Sequence, residues 1–162
     1  MLRFVPAEEE NIADLLILYN SYISNTTITF DHEAIGIDEF RNRISFCDSR
    51  YPTQLVCVGE QLAGFGFLAQ YRAKPAYCNT AEIGIYLKED FTGMGLGAKI
   101  IDHLENAAKG EALTTIIASI SGENNRSLSL FSRMGYRQCA HYRKIASKFG
   151  RKLDIIDFQK EI

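Results

Sequence analysis

Three glycines, Gly93, Gly95 and Gly97, alternate in "TGMGLGAKIIDHLENAAK", where a strand-like run gives way to apolar residues at helical spacing. Glycine in a helix costs roughly 1 kcal/mol relative to alanine, so three of them at a helix start mean that bare backbone is wanted there. A helix start also carries unpaired N–H groups and about half a unit of positive charge, and glycines before it let several amides close around an anion. "TAEIGIYL" precedes the segment and the β-branched run "LTTIIASI" follows it, so the local unit is strand, glycine turn, helix, strand.

The rest of the chain extends that unit into a sheet. "LRFVP" reads as a strand, and "ENIADLLILYNSYI" as a helix with Ile12, Leu15, Leu16, Tyr19 and Ile23 on one stripe. "GIDEFRNRISFC" predicts a second helix with Ile37, Phe40 and Ile44 inward, and "SNTTITFDHE" between them is a loop or short strand. "QLVCV" and "LAGFGFLAQY" around "GEQ" form a hairpin signal, Gly64 and Gly66 hinting at a bulge. The glycine-led helix carries Ile100, Ile101, Leu104 and Ala108 inward. A further helix opens at "NNRSLSLFSRM", with Asn124 as N-cap and Gly135 as its stop. Two closing strands flank "KFG". The expected fold is α/β (α+β): one domain over residues 1–162, a mixed central β-sheet with helices on both faces.

Composition narrows the function classes. Apolar residues make up 46% and charged residues 23% of 162 residues, an ordinary globular balance, and a net charge of −2 supplies no basic field for nucleic acid or anionic lipid. The N-terminal stretch has neither signal-peptide order nor a membrane-spanning apolar run, so the expectation is a soluble cytoplasmic protein. Cys47, Cys57, Cys78 and Cys139 stand singly, without metal or redox spacing, and read as reduced packing residues. His32, His103 and His141 are not placed to share a metal, and none is expected.

Several readings of the glycines compete. A Walker loop needs Lys followed by Ser or Thr at the helix start, and "AKII" stands there instead. Gly93, Gly95 and Ala98 satisfy the G-x-G-x-x-A dinucleotide form, which would make the protein a dinucleotide-dependent oxidoreductase, but the acidic residue wanted about 20 positions on is not at the end of the next strand. A tight turn with no ligand is the plain structural alternative. The third phosphate reading is the pyrophosphate of coenzyme A.

"GMGLGAKII" after a strand, followed one strand later by "NNRSLSLFSRMGYR", resembles the GNAT superfamily of N-acyltransferases. "YNSYISNTTITFD", "YRAKPAYCNTAE" and "RKIASKFGRKLDIIDFQ" are similar to its phosphinothricin and methionine sulfone (sulfoximine) acetyltransferase branch, so the likeness runs the whole length. By this resemblance Gly93, Met94, Gly95, Leu96, Gly97 and Ala98 would hold the pyrophosphate of acetyl-CoA, the backbone of Ile85, Tyr86 and Leu87 its pantetheine arm, and Asn124 would also touch the coenzyme. The pattern's first position, Arg or Gln in the family, is Thr92 here. A homodimer is what the branch implies.

Acetyl transfer to an amine needs a neutral nucleophile, and an amino acid's amino group is largely protonated near neutral pH, so a base must take a proton. Strand alternation puts Glu82, Gly84 and Tyr86 on one face and Ala81, Ile83, Ile85 and Leu87 on the other. A mid-strand Glu belongs either to a solvated edge strand or to a site; Glu82 matches the branch's catalytic glutamate. Phe131 stands where the superfamily often has a Tyr, or this branch a His, as general acid, and Tyr86, Tyr136 and Tyr142 are the conceivable substitutes, none assigned. Arg72 and Lys74 are placed to bind a substrate carboxylate or sulfone-like oxygens, or simply form a basic turn. Phe30 and Tyr77 resemble the aromatic wall of the branch's amino-acid pocket, and Leu153 replaces a Trp often found in its tail. The reading is an acetyl-CoA-dependent N-acetyltransferase acting on a small amino acid or analogue; the alternative from another class is a non-catalytic acyl-CoA-binding or regulatory module.

Overall fold

The computed structural model describes residues 1–162. Strand β1 (Leu2–Pro6) leads through a 3-10 turn into α1 (Ile12–Asn25), then come α2 (Ile37–Arg41), β2 (Thr53–Val58) and β3 (Gln61–Gln70). Strand β4 (Thr80–Leu87), α3 (Leu96–Gly110), β5 (Thr115–Ser121), α4 (Asn125–Arg133), β6 (Arg137–Lys148) and β7 (Arg151–Glu161) complete the chain. The seven strands form one sheet in the order β1-β2-β3-β4-β5-β7-β6. All neighbours are antiparallel except β4 and β5, the pair joined through α3. The sheet is mixed and helix-covered on both faces, as the periodicity implies.

Each face buries one core. Ala81 and Ile83 of β4 pack with Ile116, Ala118 and Ile120 of β5 against Ile100, Ile101, Leu104 and Ala108 of α3, the four residues expected to face inward. On the other face Ile12, Leu15, Leu18, Tyr19 and Ile23 of α1 meet Phe40, Ile44 and Phe65, with Phe67 and Tyr86 at the margin. Leu18 is buried in the stripe where Leu16 was expected, and Leu16 is only partly covered. The hairpin at Gly59 and Glu60 forms as expected, and its register slips between Val56 and Cys57, opposite Gly64, a bulge that lets the β3 backbone pass close to Leu87.

Two expectations need correction. The second helix stops at Arg41: the Asn42 amide is shared between Asp38 and Glu39 carbonyls and the Arg43 amide turns back to Phe40, a tightening that ends the helix after little more than one turn. Ile37 is consequently 40% exposed, and only Phe40 and Ile44 reach the core. The cysteines are not packing residues as a group: Cys47, Cys78 and Cys139 are exposed and only Cys57 is partly covered, because β6, which carries Cys139, is the outermost strand. The segment between α1 and α2 is a loop without a strand. No helix is long and apolar enough to cross a membrane.

Candidate active site

Strands β4 and β5 are paired only at Thr80, Ala81 and Glu82, opposite Thr115, Ile116 and Ile117; beyond that point they part. The gap opens into a cavity of about 770 Å³ whose walls include Glu82 to Leu87, Ala118 to Ser121, the glycine turn and α4. On its β3 side β4 remains bonded, the Lys88 amide reaching the Ala63 carbonyl at 2.8 Å. Antiparallel alternation from that bond turns the amides of Ile85 and Leu87 away from β3, toward the gap. The Leu87 carbonyl, on the same side, accepts the Tyr22 hydroxyl at 2.6 Å.

At one end of the cavity stands the start of α3. Gly93 and Gly95 adopt left-handed φ values of 76° and 75°, and nothing lies within 4 Å of where a Cβ would sit on either. The space above them is open to a guest. Gly97 answers a different need: a Cβ there would meet the Leu130 side chain at 2.6 Å, so its hydrogen lets α3 and α4 approach. The first turn of α3 carries no acidic residue and no side-chain cap, which leaves its amides free and its field positive. Arg126 of α4 donates to the Thr92 hydroxyl at 3.2 Å, setting a guanidinium beside the turn. Asn124 caps α4 by accepting the Ser127 amide at 3.2 Å.

Glu82 lines the same cavity. Strand β4 is interior, not an edge, which removes the solvated-edge explanation for its glutamate. No hydrogen bond or nearby cation favours its ionised form: burial, reinforced by the negative charge of Asp157, pushes the carboxyl above the ordinary range. Tyr86 lies against Tyr19, Tyr22, Phe65 and Phe67, and burial drives its phenol far above its usual value. Tyr136 is buried with its hydroxyl unpartnered and its ring edge-on to Phe131; burial raises it strongly too. Neither tyrosine is tuned to give up a proton near neutrality, Tyr142 lies outside the cavity, and Phe131 is a buried wall residue.

The cavity gathers Glu82, Ile85, Tyr86, Leu87, Gly93, Gly95, Leu96, Gly97, Ala98 and Asn124. Met94 is not among its walls: it projects from the glycine turn, 56% exposed. Phe30 does not line it either; in a loop with no strand alternation to order side chains, Ile28 takes that place. Arg72, Lys74 and Tyr77 lie outside it in the β3–β4 connection, Arg72 stacked over the Tyr71 and Tyr77 rings at 5.1 and 5.5 Å. Sequence reasoning missed Tyr22, Phe67, Ser119, Arg126 and Arg133 as wall residues. Only Ser119 left a trace, a hydroxyl in the otherwise apolar run "IIASI".

The loop carrying Ile28 is pinned from several sides. Thr27 donates to Glu123 at 2.8 Å, Lys148 reaches the Thr29 carbonyl at 2.9 Å, and Asp31 accepts Arg43 at 2.6 and 2.8 Å.

Residues 5–156 match the model of the acetyltransferase (GNAT) domain. The chain is 31% identical over 161 residues to a phosphinothricin N-acetyltransferase of Streptomyces coelicolor, covering 97% of this chain and 94% of that one. It is 28% identical over 160 residues to an L-methionine sulfoximine/L-methionine sulfone acetyltransferase of Pseudomonas paraeruginosa, covering 93% and 91%. Its fold superposes with a TM-score of 0.91 on a GNAT superfamily phosphinothricin acetyltransferase of Sinorhizobium meliloti solved with acetyl-CoA, at 20% identity over 99% of this chain and 88% of that one.

Proposed function

The chain belongs to the GNAT acetyltransferases, and from that premise we propose that it moves acetyl from acetyl-CoA to the amino group of a small amino acid or analogue of the phosphinothricin, methionine sulfone or methionine sulfoximine type, with Glu82 as general base. One observation carries the reading: a single cavity joins an acid-free, glycine-led helix start to a half-buried carboxylate through a gap between two strands. Acetyl-CoA supplies an acetyl group activated as a thioester. The amides at Gly93 to Ala98, with the Arg126 guanidinium beside them, suit its pyrophosphate, and Asn124 stands at the same mouth. The unpaired amides of Ile85 and Leu87 suit the pantetheine arm and the carbonyl to be polarised.

Glu82 receives a proton from the incoming ammonium, leaving the amine's lone pair free for attack. A raised carboxyl is suited to that task, since a base works best with its pKa near the operating pH. Phe131 offers no proton to the departing sulfur, and a thiolate leaves without one far more readily than an amide anion does. Arg72 and Lys74, outside the cavity on the connection that enters β4, are the groups for a substrate carboxylate. The protein is read as a cytoplasmic homodimer, an assembly favoured by Ile145 and Phe149, exposed on the outermost strand β6 and at its turn into β7.

The test is a thiol-release screen with acetyl-CoA across amino acids, their sulfone, sulfoximine and phosphinic analogues, and the corresponding carboxamides. Release with carboxylate-bearing amines, weaker with their amides, is expected. Tight acetyl-CoA binding with no release on any amine would make the protein a coenzyme-binding module instead.

A further inference from the structure

Beyond Glu82, a second acidic group with no role in the reaction as described lies behind the cavity wall. Register and alternation locate it. Glu82 of β4 stands opposite Ile117 of β5, and Ser119, two residues on, stands opposite Asp157 of β7. Paired residues share a face and every second residue returns to it, so Glu82, Ser119 and Asp157 form a row across three strands on the face opposite α3. The Ser119 hydroxyl donates to Asp157 at 2.7 Å. Asp157 is 9% exposed and does not line the cavity, whereas Ser119 and Glu82 both do.

We propose that Ser119 is a catalytic residue of this site, binding the acceptor amine through an N–H while its own proton is committed to Asp157, which acts as the positioning residue behind it. A serine hydroxyl has one proton and two lone pairs. With the proton spent on a carboxylate, the side it shows the cavity is an acceptor only. An ammonium entering beside Glu82 has three N–H groups: one proton passes from nitrogen to the Glu82 carboxylate, and a second N–H points to the Ser119 oxygen. The lone pair released by that transfer lies along the former N–H direction, so the amine turns about its remaining N–H bond to Ser119 to bring the pair to the thioester carbonyl. No proton leaves Ser119, so the balance is that of Glu82 alone. The inference rests on the reading of this cavity as the site of amine acetylation.

Two further observations agree. A buried carboxylate costs more than an apolar residue of its size unless it is bonded or used, and Asp157 has one side-chain hydrogen bond, from the residue that faces the cavity. Its charge also adds to burial in raising Glu82. The charged and titratable groups that act on Glu82 or share its cavity are Asp157 from β7 and Tyr86 from β4, which couple to it, and Tyr22 from α1 and Arg126 and Arg133 from α4, which line the same cavity, with Cys139 of β6 behind Asp157.

Initial rates with saturating acetyl-CoA, measured against amine concentration and pH for the full chain, test the proposal. Ser119→Ala should lower kcat/KM for the amine roughly three- to tenfold with acetyl-CoA affinity unchanged, the scale of one hydrogen bond. Ser119→Thr, which keeps the hydroxyl, should recover most of it. Asp157→Asn removes the charge and should move the acid limb of kcat/KM to lower pH, and it weakens the hold on the serine proton, because a neutral amide oxygen is a poorer acceptor than a carboxylate. The Ser119→Ala and Asp157→Asn losses should therefore be less than additive in the double variant. Wild-type kcat/KM in a folded Ser119→Ala protein overturns the contact; additive losses with an unmoved acid limb overturn Asp157 as its positioning group. Glu82→Gln measured alongside separates the two ideas, because a fast Glu82→Gln enzyme removes the base while Ser119 is judged on its own kcat/KM.

Discussion

Glu82 carries two linked consequences of its surroundings. As a base, its loss in Glu82→Gln should slow turnover by about 10²- to 10⁴-fold near neutral pH with acetyl-CoA affinity nearly unchanged. The deficit should shrink as pH rises toward the amine's own pKa, because free amine then arrives without help; a rate profile for both proteins reads this, and a constant deficit would count against proton removal. As a half-buried acid it costs the fold stability when ionised. Its folded pKa is raised, so the folded state holds the proton more tightly than the unfolded one, and stability falls as pH rises from the unfolded value through the folded value. Glu82→Gln should thus melt higher than wild type at pH 7 and no higher below the ordinary glutamate range. Stability given up at one residue for reactivity is a common feature of active sites.

At the scale of elements, the glycine turn and α4 set the coenzyme end. Gly95→Val forces a β-branched side chain into a left-handed conformation and fills the space above the α3 amides. Strain of that kind costs the fold about 1–3 kcal/mol, and the filled space should weaken acetyl-CoA binding roughly tenfold or more. Calorimetry on a folded variant with unchanged affinity would remove the pyrophosphate from this turn. Asn124→Ala deletes the bond to the Ser127 amide and should cost about 1 kcal/mol, a fall of roughly 2–4 °C in melting temperature. These elements were legible in the sequence because each has a local signal: the glycines, the Asn cap, the apolar stripe of α3. The end of the second helix was not, since "GIDEFRNRISFC" keeps a helical period past Arg41 while the backbone tightens and Arg43 is taken by Asp31 and Glu39.

Over the whole molecule, the long strand β6 stays free on one side and presents Tyr142 and Ile145, with Phe149 at the turn that follows. If the homodimer forms there, sedimentation equilibrium should give a dimer for the wild type and a shift toward monomer for the pair Ile145→Glu and Phe149→Ser; a wild-type monomer at every concentration refutes the assembly. The same scale separates what the chain announces from what folding settles. The sequence by itself determined the element order, the strand–glycine–helix unit and the α3 core stripe, because period, turn chemistry and capping act within a few residues of each other; Glu82 entered as the candidate base through the family resemblance, since strand alternation alone left it open between a solvated edge and a site. Only the tertiary structure decided that β4 is interior, that it parts from β5 after Glu82, that Ile28 and not Phe30 faces the cavity, and that Ser119 bonds to Asp157 on the face that carries Glu82. Those facts depend on which strands become neighbours and in what register, and pairing between residues nearly 40 positions apart, such as Ser119 and Asp157, leaves no mark on the local pattern of either segment.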